Sequence, residues 1–240
     1  MKDSGSKVFP AKKQRRENKL TPYLFLLPTI LLMGTFIYYP FVKTIGTSFF
    51  LTNATGKAVE FIGLENYQKI FSDSLFIQSI KNTFIYALIQ VPVTIVLAFL
   101  MAMAANKKRK ASWFYELTFA FPMAVSMSVA ALIFKLMLNP QIGIINHIFG
   151  LDVQWFNGEK TALLSVIILG VWLGLGMDFL YLLSAVRSVP DDLIEAARID
   201  GCPNWKLMFK IYLPIMSPTV FYLICTNLAT AMMMSGPVMV

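Results

Sequence analysis

Charge is what this 240-residue chain most lacks: Asp, Glu, Lys and Arg together make up 14% of it, against about 25% in an ordinary soluble domain. Histidine occurs once, as His147, and cysteine twice, as Cys202 and Cys225. No pair of these stands at metal-ligand or Cys-x-x-Cys spacing, so no metal centre, disulfide or dithiol redox site is implied, and His147 reads as a surface residue. A Gly-x-x-x-x-Gly-Lys-Ser/Thr phosphate loop is also missing, which excludes ATP binding of that kind by this chain. The formal charge of +8 has no aromatic or motif context pointing to nucleic acid.

Apolar residues are abundant, at 57% of the chain with a mean hydropathy of +0.63. They are gathered into long runs, not spread at the spacing of an amphipathic helix or strand. A helix needs roughly 20 residues to cross a hydrocarbon core, and five runs reach that length: about Pro22–Val42, Thr83–Ala105, Leu117–Leu138, Thr161–Val186 and Pro214–Val240. The internal prolines (Pro28, Pro40, Pro92, Pro122, Pro218 and Pro237) are compatible with membrane helices, where neighbouring helices satisfy the freed carbonyls. The chain reads as an all-α polytopic membrane protein.

Lys and Arg near the span ends set the orientation. Fifteen of them fall in the N-terminal tail (Lys2, Lys7, Lys12, Lys13, Arg15, Arg16, Lys19), after the second run (Lys107, Lys108, Arg109, Lys110) and after the fourth (Arg187, Arg198, Lys206, Lys210). The alternate loops hold four: Lys57, Lys69, Lys81 and Lys160. The N-terminus and the 187–214 connection are therefore expected in the cytoplasm. The first apolar run is longer than a signal-peptide core and no small-x-small cleavage site follows it, so it reads as a retained span.

The 187–214 connection has a pattern of its own. Ser188 can cap a helix, Pro190 suits its first turn, and Asp191 and Asp192 complement the positive end of its dipole. Helix formers continue from Leu193 to Asp200, with Leu193 and Ile194 as an apolar anchor. Gly201 is a stop in the left-handed conformation, and after Pro203 a second helix capped by Asn204 is expected. The helix would present small residues, Ala196 and Ala197, beside the acceptors Glu195 and Asp200.

Glu195-Ala196-Ala197, three residues, Gly201, nine residues, then Ile211-Tyr212-Leu213-Pro214 resembles the EAA loop of ABC-importer membrane subunits, element for element. Further segments are similar to the carbohydrate branch of that family, the maltose, oligosaccharide and glycerol-phosphate importers. They are Tyr23-Leu24-Phe25-Leu26-Leu27-Pro28, Tyr39-Pro40, Ser48-Phe49, the stretch Phe61-Ile62-Gly63-Leu64-Glu65-Asn66-Tyr67, Asn82-Thr83, and Pro190 with Ile199-Asp200-Gly201.

The resemblance implies a type I ABC-importer transmembrane fold and a bacterial plasma (inner) membrane location. It implies a heterodimer with a second, homologous permease, of which this chain would be the maltose-F or glycerol-phosphate-A type. Two copies of an ATPase subunit, which would carry ATP and Mg, an extracytoplasmic solute-binding protein and a sugar substrate complete the expected assembly. This chain would bind no cofactor, catalyse nothing and sit among membrane lipids. Glu195, Ala196, Ala197, Asp200, Gly201, Leu213 and Pro214 would couple it to the ATPase. The expected division is a basic tail over 1–20, a first span and compact outer loop over 21–82, and a core permease domain over 83–240 containing the loop at about 187–214. Because such permeases continue through another span after this loop, one further C-terminal helix is expected beyond Val240.

Inside the spans, Asp178 is a charged residue at membrane depth and so a functional candidate, as a substrate contact, a structural partner or a gate. The resembled family commonly has an uncharged polar residue there. Thr226, Asn227 and Thr230 offer polar groups on the fifth run, either to substrate or to neighbouring helices. Gly170, Gly174 and Gly176 around Trp172 read as a close-packing seam. Trp155 and Phe156 are interfacial aromatics or contacts for the binding protein. A rival reading, a secondary transporter with Asp178 as its ion site, would show inverted repeats, and the sequence has none.

Overall fold

The computed structural model describes residues 20–106, 112–159 and 161–233, and these form two compact units, Met1–Ser74 and Leu75–Val240. The basic residues of the tail, Lys107 to Lys110, Lys160 and the stretch Ser235–Val240 with Pro237 lie outside the described residues.

In the first unit a continuous helical run carries α1 (Thr21–Met33), a π turn (Gly34–Tyr38) and α2 (Tyr39–Thr47). The π turn has a local cause. Pro40 has no N–H, and its ring crowds the carbonyl four residues back, that of Phe36. In the wider turn the bonding slips to five residues, with Tyr39 N–H on Gly34 O, and the clash is relieved. Pro22–Thr47 is apolar enough to cross a membrane, with none of its apolar window buried within the fold.

Strands β1 (Phe50–Thr52) and β2 (Ala58–Phe61) follow as an antiparallel hairpin, pairing Phe50 with Phe61 and Leu51 with Glu60, and then α3 (Glu65–Ser72). The segment from Gly63 to Tyr67 closes this loop. Gly63 turns the chain at φ +59°, where a side chain would be strained. Asn66 Nδ2 then donates to the carbonyls of Ser48 (2.9 Å) and Phe50 (3.2 Å). The Tyr67 hydroxyl meets Ser48 Oγ at 2.7 Å, and its ring lies 5.8 Å from that of Phe49. Gly63, Asn66 and Tyr67 thus have a structural job, fastening the loop to Ser48-Phe49.

The second unit is built on three long helices: α4 (Ser74–Ala105), α8 (Ala162–Arg187) and α11 (Leu213–Met232). At 32 residues α4 begins nine residues before the expected Thr83, and at 1.5 Å per residue it is about 48 Å long, more than a hydrocarbon core requires. Its buried face carries small and branched residues (Ala87, Val91, Ile95, Ala98, Ala102), and the core is completed by Phe179, Leu182 and Val186 of α8 with Met216 and Leu223 of α11. The glycines of α8 are a packing seam, as expected. A side chain on Gly170 would collide with the Tyr86 hydroxyl and one on Gly174 would press on Thr94. At Gly176 it would meet Met123 N at 2.7 Å and Ala120 O at 3.0 Å.

The third apolar run departs from the single crossing expected over Leu117–Leu138. It is two helices, α5 (Ser112–Ala120, extended by a 3-10 turn at Phe121–Ala124) and α6 (Met127–Met137), bent by 99°. Pro122 begins the tight turn, Val125 is extended, and Ser126 Oγ accepts from Val129 N–H to start α6 anew. At about 17 Å, α6 does not span a bilayer by itself. The short α7 (Ile144–Phe149) follows, with His147 exposed on it. Trp155 is half-buried in the connection that follows. Its Nε1 donates to Asn146 Oδ1 at 2.7 Å, while Asn146 Nδ2 reaches Val153 O.

The fifth span starts earlier than Pro214. Helix runs from α10 (Asn204–Leu207) through a π turn (Met208–Tyr212) into α11, 29 residues in all over Asn204–Met232. Pro214 repeats the arrangement at Pro40. The carbonyl its ring would crowd, that of Lys210, lies in the π turn, and Leu213 N–H bonds to Met208 O. Ile211 to Pro214 therefore marks a change of helical pitch within one helix, not its beginning.

Candidate functional site

The connection between α8 and α10 is a nine-residue helix, α9 (Asp191–Ile199). Pro190 is its N-cap, and Asp191 and Asp192 fill its first turn, where negative charge meets the free N–H groups. Ser188 does not cap it. That residue ends α8, its hydroxyl donating to Ala185 O at 2.7 Å. The far end is a Schellman closure. Gly201 sits at φ +73°, its N–H bonds to Arg198 O at 3.0 Å, and Cys202 N–H reaches back to Ala197 O at 2.9 Å. A Cβ would strain this conformation. Pro203, not Asn204, precedes α10 as its N-cap, and no side chain caps that turn.

Ile194 alone anchors α9. It is buried, whereas Leu193 is 48% exposed, so the expected two-residue anchor is half right. Ala196 faces outward, Ala197 is half-buried, and Ile199 at the tip is 86% exposed. Glu195 and Asp200 are both exposed, and no hydrogen bond or ion pair to either side chain occurs among the described residues. Glu195 and Arg198 border a cavity of about 550 Å³ shared with Asn106 at the end of α4, with Asn204 and with Tyr212. Leu213 and Pro214 are set apart from the tip of α9, at the junction of the π turn and α11.

Deeper in the unit, α8 and α11 are joined by a polar pair. Asn227 Nδ2 donates to Asp178 Oδ2 at 2.7 Å, and Asp178 is only 2% exposed. Of the three polar positions on α11, only Asn227 bonds across to α8. Thr226 and Thr230 donate to their own helix, at Tyr222 O (2.9 Å) and Thr226 O (3.0 Å), and Thr230 stays exposed. These hydroxyls keep acceptor lone pairs. A second buried cluster, Gln90 with Thr94, lies on α4. Gln90 Nε2 donates to Thr94 Oγ1 at 3.1 Å, and Thr94 donates to Gln90 O at 2.8 Å. Sequence reasoning missed it, although a Gln and a Thr one turn apart in an apolar run were the signal.

Also missed was an ion pair between α5 and α8. Arg187 Nη2 lies 2.6 Å from Glu116 Oε1, and Nη1 lies 3.4 Å from Oε2. The clue was that opposite charges flank adjacent ends of the third and fourth apolar runs.

Comparison with known proteins agrees with a helical membrane subunit. Residues 94–235 match the family described as binding-protein-dependent transport system inner membrane component. A Bacillus subtilis protein, YurN, described as a probable ABC transporter permease, is 34% identical over 82% of this chain and 70% of its own length. The sn-glycerol-3-phosphate transport system permease protein UgpA of Agrobacterium fabrum is 30% identical over 92% of this chain and 74% of its own.

Among solved structures, a bacterial ABC transporter involved in import of the acidic polysaccharide alginate superposes with a TM-score of 0.72. It is 26% identical, and the match covers 88% of this chain and 73% of that one. The alginate transporter in complex with an alginate pentasaccharide-bound periplasmic protein gives 0.70 at 25% identity, covering 86% and 70%. The apolar helices and these likenesses define an ABC importer permease, a transport subunit of the inner membrane and not an enzyme. The chain belongs to the family of binding-protein-dependent transport system inner membrane components.

Proposed function

We propose that this permease serves an ATP-driven sugar importer and that α9 is where a separate ATPase engages it. The observation that carries the reading is the state of α9. It is a short helix, closed at its C-terminal end by the Gly201 turn, with an exposed apolar tip, and the acidic side chains of Glu195 and of Asp200 just beyond it are open to a partner. Its place in the chain, between two membrane helices and within an element-for-element EAA pattern, supports the same reading. Ala196 and Ala197 let another surface approach closely, and Gly201 holds the turn that presents them. Leu213 and Pro214 act one step further on, where the π turn hands α10 to α11.

In this assembly the ATPase subunits bind ATP and Mg, a second permease completes the pathway and an extracytoplasmic protein delivers the solute. The N-terminus and α9 lie in the cytoplasm, as the distribution of Lys and Arg predicts. A sugar or sugar-acid substrate is favoured by relatives named for glycerol phosphate and alginate. Asp178 and Asn227 fix the seam of α8 and α11 beside the pathway, and Thr226 and Thr230 offer acceptors to solute hydroxyls.

The test is uptake into proteoliposomes holding this chain together with the second permease, ATPase and binding protein of the same importer. sn-Glycerol 3-phosphate, maltose and alginate oligosaccharides serve as probes. ATP-dependent uptake that is lost in Glu195→Lys and in Gly201→Pro, at matched protein abundance, supports the coupling role. Unchanged uptake in either variant overturns it. Uptake that survives an inactive ATPase but collapses with the ion gradient would instead favour a secondary transporter using Asp178.

A further inference from the structure

The ion pair between Glu116 and Arg187 stands where α9 meets the membrane helices. Arg187 is the last residue of α8, and α9 begins four residues later at Asp191. Glu116 is its partner on α5, 71 positions away in sequence, and the guanidinium engages both carboxylate oxygens. A two-pronged contact of this kind fixes orientation as well as distance. Further along α8 the same two elements are locked again. Phe119 and Phe179 meet edge to face, with ring centres 5.4 Å apart, and Gly176 admits the backbone of Ala120 and Met123. Phe179 is fully buried, so the contact between α5 and α8 is part of the core. The helix held in this way leads straight into the 99° bend and α6.

We propose that Glu116 and Arg187 are positioning residues, a strut that makes the end of α8, from which α9 departs, and the α5 corner move as one body. A displacement that reaches the end of α8 from α9 is then delivered to the bent pair. Both side chains are part-exposed (47% for Arg187 and 27% for Glu116), and isolated pairs of that kind add little to stability. Alignment is therefore the contribution that separates this pair from an ordinary surface contact. The inference rests on the reading that α9 receives the ATPase, and its test is chosen so that the two can fail separately.

The test uses the assembled importer in nanodiscs, with Cys202 and Cys225 changed to Ser. Nitroxide labels are placed at Leu117→Cys on α5 and Ser184→Cys near the end of α8, both exposed positions. Spin–spin distances are recorded without nucleotide and after trapping with ATP and vanadate. A strut predicts one narrow distribution, identical in both states. Glu116→Arg and the milder Glu116→Gln should broaden it or make it depend on nucleotide, and the exchanged pair Glu116→Arg/Arg187→Glu should restore it. A separation that changes with nucleotide in the unaltered pair, single variants indistinguishable from it, or an exchange that restores nothing would each overturn the strut. Cross-linking from Ala196→Cys to the ATPase, run on parallel samples, reports on the coupling reading alone.

Discussion

Two polar features of the second unit treat their hydrogen-bonding groups in opposite ways. Around Asp178 and Asn227 the side chains satisfy each other at 2.7 Å, inside the seam of α8 and α11. On α9 the backbone is closed by a Schellman turn while Glu195 and Asp200 stay open, with no side-chain partner among the described residues. A polar group inside a fold that no water reaches must find its partner there. A polar group on a rigid, exposed helix is free to meet a partner brought from outside. The difference separates residues that hold the permease together from residues that connect it to something else.

That contrast can be broken by substitution. The largest effect is expected at α9. Gly201→Pro forbids φ +73° and Glu195→Lys reverses the open charge, and each should cut ATP-driven uptake at least about a hundredfold. Thermal unfolding in detergent should change by less than about 1 kcal/mol for Glu195→Lys, as for an ordinary surface substitution. At the seam the balance should invert. Asn227→Leu leaves the Asp178 carboxyl buried without its donor and should lower stability by about 2 kcal/mol, read as a reduced unfolding midpoint. Asp178→Asn keeps an acceptor oxygen and should cost less than about 1 kcal/mol. Gly176→Ala pushes a methyl into the backbone of Met123 and Ala120 and should cost about 1–2 kcal/mol, checked by the same unfolding assay. A change in the first unit sharpens the contrast. Asn66→Ala removes two donations to the Ser48 and Phe50 carbonyls and should cost about 1 kcal/mol, seen as faster proteolysis of the β1–β2 hairpin.

Local features were legible in the sequence where the cause is local. The body of α9 and its stop at Gly201 follow from Asp191, Asp192 and the glycine, whereas its start was expected at Ser188, which ends α8 instead. The segment around Gly63, Asn66 and Tyr67 was visible as a pattern, although its role in fastening the loop to Ser48 and Phe49 needed three dimensions. The apolar runs placed the cores of α4, α8 and α11, but hydropathy measures how much apolar surface a segment has and not whether it is straight. Leu117–Leu138 therefore read as one span, even though Pro122 and Ser126 carry a turn and a fresh helix start between them. Ile211 to Pro214 was legible as a motif and misread as a boundary, because a proline that usually opens a helix here follows a π turn inside one.

The pairings of Asp178 with Asn227 and of Glu116 with Arg187 span 49 and 71 residues. Contacts of that range come from how helices pack, which no single run of residues records. Polar residues of α11 looked equivalent in sequence for the same reason. Rotation about the helix axis sends Asn227 to Asp178, while Thr226 and Thr230 turn back onto their own carbonyls.

Cross-linking is the most direct measure of the claim that α9 is the point of contact with the ATPase. Ala196→Cys on α9 and Asn157→Cys in the connection before α8 are each introduced, without Cys202 and Cys225, into the importer assembled in membrane vesicles. Treatment with a short bifunctional maleimide should join Ala196→Cys to the ATPase subunit, with a yield that changes when ATP and vanadate are added, and should leave Asn157→Cys unjoined. Cross-links to the ATPase from Asn157→Cys, or none from Ala196→Cys in any nucleotide state, would contradict the account.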